Sequence, residues 1–191
     1  MSNYLHRKDN RDDKTFSNDI KKTINREQLW SYILCHELSY LYKCNVTCED
    51  VAKGGDGSIV YNHIDATPDK KFIINGKTLI VEIKTFNDII DEIYCLTFKV
   101  SSLRKCLEYN SYIIIPNKEW WVLLKPQGMQ YLLYNCEQKI YTAFSPNDKS
   151  IRIYKNIVDF LTKSHNMQIL FWNNSQAKRI IKNNINKLFN I

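Results

Sequence analysis

The chain has 191 residues, a formal net charge of +7, 44% hydrophobic and 13% aromatic residues, and 25% charged residues. That length and apolar content suit one well-buried core and exclude a largely disordered chain. No apolar run approaches the roughly 20 residues of a membrane span, and the opening MSNYLHRKDNRDDK lacks a secretory apolar stretch, so an intracellular protein without a membrane partner is expected. The positive charge favours polyanionic partners, nucleic acid above all.

Residues 1–24 read as a polar N-terminal arm of mixed charge. From Asn25, a candidate cap, the segment NREQLWSYILCHELSYLYK repeats apolar residues at helical spacing. Leu29, Ile33, Leu34, Leu38 and Leu41 form its stripe. Glu37 lies among those apolar neighbours, which turns its carboxylate inward, whereas Glu27 stands near the helix start, where the helix dipole favours a carboxylate.

A looser section follows, in which Gly54-Gly55-Asp56-Gly57 marks a turn without the spacing of a phosphate-binding loop. Lys71-Phe72-Ile73-Ile74 and the run from Lys77 to Lys84 then flank Asn75-Gly76, the turn chemistry of a tight hairpin. Ile93 to Val100 reads as a strand and Ser101 to Tyr109 as a serine-capped helix. Ser111 to Ile115 and Glu119 to Leu124 follow as strands, with Trp120-Trp121 alternating across the second so that one enters the core. Beyond them, Ile157 to Lys163 and Ala177 to Phe189 read as helical, and Met167 to Trp172 as extended.

Alternation along the second hairpin strand places Glu82 and Lys84 on one face, and Asp69 lies just before the partner strand. Two carboxylates and an ammonium converge, and a hard divalent cation relieves the repulsion between the carboxylates. Thr67-Pro68-Asp69, a short spacer and Glu82-Ile83-Lys84 at the end of an apolar strand together resemble the PD-(D/E)XK nuclease superfamily. The resemblance covers about residues 25–124. It implies an α/β fold with a restriction-endonuclease-like αβββαβ core, a mixed central sheet flanked by helices, within a single nuclease domain of residues 25–191, leaving 125–191 as a C-terminal extension.

The resemblance also implies an endonuclease acting on double-stranded DNA with Mg²⁺ or Mn²⁺. Asp69 and Glu82 would bind the metal with the Ile83 carbonyl, and Lys84 would position the attacking water. The family tends to carry a Glu on the preceding helix, for which Glu37 is the first candidate and Glu27 the second. Asp65 is an alternative ligand to Asp69, and His36 and His63 are candidate extra groups read more simply as structural. RNA cleavage, or nucleic-acid binding without turnover, stand as alternatives, and a homodimer would supply two active sites for two strands.

Lys99, Arg104 and Lys105, and Lys178, Arg179 and Lys182 near the C-terminal end, are the candidate phosphate contacts. The six cysteines read as reduced thiols. A zinc site from Cys35, His36, Cys44 and Cys48 is set aside because it lacks paired CxxC spacing.

Overall fold

Alternating apolar strands need cover on both faces, and the chain supplies it with helices on either side of a mixed sheet. A computed structural model describes residues 13–51, 68–86, 92–140 and 149–189. Within them the order is α1 (Asp13–Tyr42), β1 (Val46–Asp50), β2 (Lys70–Ile74), β3 (Lys77–Ile83), β4 (Thr97–Lys99), α2 (Val100–Glu108), β5 (Tyr112–Pro116) and β6 (Trp120–Leu124). It continues with α3 (Pro126–Asn135), β7 (Lys139–Ile140), β8 (Lys149–Arg152), α4 (Lys155–Lys163), β9 (Met167–Phe171), α5 (Ser175–Asn183) and α6 (Ile185–Phe189). The fold is α/β.

The main sheet runs β1-β2-β3-β5-β6-β9, and a smaller one runs β4-β8-β7. β1, β2 and β3 form an antiparallel meander, whereas β3 and β5 are parallel, with Glu82 opposite Ile113 and Ile83 opposite Ile114. The parallel pair requires a crossover, and α2 lies on it. Asn75 and Gly76 hold φ of 50° and 74°, the left-handed conformation that closes the β2–β3 hairpin in register from Ile74 and Lys77.

Strand alternation divides the core into two layers. Ile113, Ile115, Val122 and Leu124 face α2, α3, α4 and the small sheet. Val81, Ile83, Ile114 and Trp121 face α1, α5 and α6. In the second layer Trp172 stacks on Trp30 at a 6.0 Å centroid distance and meets Trp121 at 6.0 Å, while Trp30 takes Phe189 edge-on at 5.9 Å. Trp121 is the buried member of the Trp120-Trp121 pair.

Several boundaries differ from the sequence reading. Helix α1 begins at Asp13, so half of the polar arm is helical and Asn25 is an interior residue rather than a cap. No Gly or Pro interrupts residues 13–42, and a packed helix propagates at little cost through residues with ordinary propensity. The buried stripe of α1 is Trp30, Ile33, Leu34 and Leu38; Leu41 is exposed. The strand expected at 93–100 is a 3-10 turn at Ile93–Cys95 followed by only three strand residues. Helix α2 starts at Val100, with Lys99 in the cap position and no side-chain cap.

Residues beyond 124 are integral to these layers, since β9 forms the sheet edge beside β6, and α5 and α6 cover α1. Gly54–Gly57, His63 and Asp65 lie outside the described residues. No helix among the described residues is long and apolar enough to cross a membrane.

Candidate active site

Residues from α1, the start of β2 and the end of β3 meet at one place. Asp69 immediately precedes β2 and accepts a hydrogen bond from the Ile83 amide through Oδ2 at 3.0 Å. Glu82 leaves the opposite face of β3 from Val81 and Ile83, and its Oε1 lies 3.7 Å from the Lys84 ammonium. Lys84 is held at both ends. Its amide donates to the Ile114 carbonyl at 2.8 Å, and Nζ donates to Ser102 Oγ of α2 at 3.3 Å.

The third carboxylate belongs to Glu27 of α1. Burial pushes its pKa up to about 7, with repulsion from Glu82 adding to the rise and Lys70, Lys84 and Arg26 opposing it. Burial likewise pushes Asp69 up to about 8, and Glu82 and Glu27 push it further against the Ile83 hydrogen bond and the Lys84 charge. Glu82 therefore acts on both Glu27 and Asp69, and Glu27 acts on Asp69. Cys106 of α2 lies near enough to feel Glu82, Lys84 and Asp69, although burial dominates in raising its thiol to about 11.

Glu37 does not join this group. It is completely buried, and its two oxygens accept the amides of Asn173 and Asn174 at 2.9 and 2.8 Å. Its carboxylate ties α1 to the connection between β9 and α5, which satisfies the charge structurally. The inward turn expected for Glu37 is present, but it points to a different partner from the one expected. Ten residues along a helix separate Glu37 from Glu27, about 15 Å of rise. His36 is also elsewhere: it packs edge-on against Tyr32 and lines a cavity beside β1.

The basic candidates fall into two sets on different layers. Lys99 and Arg104 are exposed and Lys105 half-buried at α2, while Lys178, Arg179 and Lys182 are exposed on α5 with Ala177 and Ile181 turned inward. The α2 set is the one attached to the acid cluster, through the Ser102 contact with Lys84. Ser102 and the buried Lys70, which pairs with Asp50 and acts on Glu27, were not singled out from the sequence; neither carries a motif that would have marked it.

Among the described residues, no group of three or more His, Cys, Asp or Glu side chains is placed so that it could hold a metal ion as it stands. The donor chemistry at Glu27, Asp69 and Glu82 is nonetheless all carboxylate oxygen, and burial, with repulsion between carboxylates added, holds protons on Glu27 and Asp69 that a divalent cation would displace. That donor chemistry suits a hard cation. Comparison with family models, curated proteins and solved structures finds no match to this chain.

Proposed function

We propose that this chain is a metal-dependent endonuclease that hydrolyses phosphodiester bonds in DNA. The observation that carries the reading is the meeting of Glu27, Asp69 and Glu82 beside Lys84, with Glu27 and Asp69 shifted upward by burial and further by the neighbouring carboxylates. Apart from β4, which joins the small sheet, the order α1, three antiparallel strands, α2 and a strand parallel to β3 also accords with the αβββαβ core of the PD-(D/E)XK superfamily.

On this reading Asp69, Glu82 and Glu27, with the Ile83 carbonyl, would hold Mg²⁺ or Mn²⁺. A cation bound there would supply positive charge to the scissile phosphate and lower the pKa of water. Asp69 is kept in place by the Ile83 amide, so the residue between Glu82 and Lys84 also anchors the first acid. Lys84, restrained by Glu82 and Ser102, orients the attacking water and stabilises charge developing on the phosphate. The N-terminal turn of α2 begins beside Lys84 and favours an anion there. A second copy of the chain would address the second strand of a duplex.

The test is cleavage of supercoiled plasmid, linear duplex, branched DNA and single-stranded RNA with Mg²⁺, Mn²⁺ or EDTA. Wild type, Asp69→Ala, Lys84→Ala and Glu27→Gln are compared. Metal-dependent DNA cutting by wild type, absent in all three variants, is the expected result. Preferential RNA cutting moves the substrate, and binding without cutting by pure wild type reduces the chain to a nucleic-acid-binding module.

A further inference from the structure

On the other side of α1 from its tryptophan contacts, a cavity of about 630 Å³ opens between the helix and the edge strand β1. Ser31 and Cys35 of α1, Cys48 and Asp50 of β1, and Lys70 of β2 are among its walls. The thiols of Cys35 and Cys48 are hydrogen-bonded to each other, and both residues remain partly accessible. Two sulfurs in contact at a helix–strand junction are ordinary packing when sealed, as buried Cys106 is. These two border open space.

We propose that Cys35 and Cys48 form an oxidisable dithiol, with Cys48 attacking a low-molecular-weight disulfide and Cys35 resolving the adduct into an intrachain disulfide. The surroundings of the sulfurs assign the roles. Cys48 receives the Cys35 hydrogen bond, lies in the field of Lys70 and has the Ser31 hydroxyl in reach, and together these lower its pKa despite burial and Asp50. Cys35, as the hydrogen-bond donor and with its own burial, is raised. Cys106 and Cys136 are also raised, by burial, so neither competes as a thiolate.

In the first step the Cys48 thiolate attacks one sulfur of RS–SR. The disulfide bond breaks, its electron pair leaves with RS⁻, and solvent protonates the leaving thiolate. Cys35 then gives its proton to solvent and attacks Cys48 Sγ, expelling the second RS⁻. Two protein thiols are oxidised to one disulfide, and one small disulfide is reduced to two thiols. The new bond fastens α1 to β1 two turns beyond Glu27, along the line Glu27, Ser31, Cys35, where Ser31 Oγ already donates to the Glu27 carbonyl at 2.7 Å.

The experiment exposes the full chain to oxidised glutathione, quenches with an alkylating reagent and reads intact mass and non-reduced peptides. Wild type is expected to lose two hydrogens without retaining an adduct and to yield a Cys35–Cys48 linked peptide. Cys35→Ser is expected to stop at one glutathione on Cys48, and Cys48→Ser to give neither the bridge nor an adduct on Cys35. A wild type that stays reduced, a bridge through Cys44, or a Cys48→Ser variant that still takes glutathione on Cys35 overturns the proposal. Limited iodoacetamide labelling of wild type gives a second readout independent of variant folding: Cys48 is expected to label several-fold faster than Cys35, and the reverse order overturns the assignment.

Discussion

Asp69 is clipped by its Oδ2 to the amide of Ile83, 14 residues further along the chain and between Glu82 and Lys84. The hydrogen bond favours the charged carboxylate, yet burial and the neighbouring acids outweigh it. Position and protonation are therefore set by opposing forces, and the first prediction separates them.

With divalent ions removed, Asp69 and Glu27 have folded-state pKa values above their ordinary values of 3.8 and 4.5. The folded protein then retains protons that the unfolded chain releases. Stability from this source is complete below the unfolded values and is lost as pH rises through about 7 to 8. In EDTA, Tm is expected to fall between about pH 5 and about pH 8, beyond any drift shown by Asp69→Asn. Asp69→Asn should also be more stable than wild type at the upper end, and added Mn²⁺ should reverse the wild-type loss. Thermal melts across pH, with and without metal, read all three effects.

Glu27 and Glu37 lie on one helix and should fail in different ways. Glu37→Gln removes the charge from two amide contacts in a fully buried place and is expected to cost about 1–3 kcal/mol in urea unfolding. Glu27→Gln is expected to fold normally, with unchanged or increased stability at neutral pH, and to lose metal-dependent cleavage by about 10²-fold or more. A Glu37→Gln protein that remains folded and is as inactive as Glu27→Gln would contradict the division between them.

The contrast between these two glutamates also marks how far the residues alone could lead. Periodicity correctly turns Glu37 inward, but a helix face says nothing about which of several interior partners waits along about 45 Å of a 30-residue helix. The β2–β3 hairpin was legible because Asn75-Gly76 specifies its own turn, and Glu82 and Lys84 because strand parity is local. Helix α3 has no counterpart in the sequence reading: Pro126 occupies its first turn, and Gly128 permits a tertiary contact that no local pattern announces.

That contact yields a stability prediction. A Cβ at Gly128 would meet the Asn166 carbonyl oxygen and Leu124 Cδ1, each at 2.7 Å, although alanine is the better helix former. Gly128→Ala is expected to destabilise the protein by about 1–3 kcal/mol, because backbone at the start of β9 must move to admit the methyl group. Chemical denaturation measures it, and a gain in stability would show that α3 can shift freely.

The two basic sets should contribute unequally to nucleic-acid binding. Lys99→Ala with Arg104→Ala, beside the helix whose Ser102 holds Lys84, is expected to weaken DNA binding and reduce the salt slope by about two, the share of two phosphate contacts. Lys178→Ala with Lys182→Ala, on the other layer, is expected to leave both nearly unchanged. Titrations at several salt concentrations distinguish the surfaces, and the opposite ranking would move the DNA path to α5.

The bond between Glu37 and Asn173 joins residues 136 positions apart. During synthesis at about 5–20 residues per second, that separation corresponds to roughly 7–27 s in which α1 has been made but its anchor has not. The tryptophan-bearing face of α1 spends the same interval without Trp172 and Phe189. A ribosome-bound chain therefore carries all the acids of the candidate site well before it can seat the helix that presents one of them, and under the proposed function the site would stay incomplete until translation has passed β9.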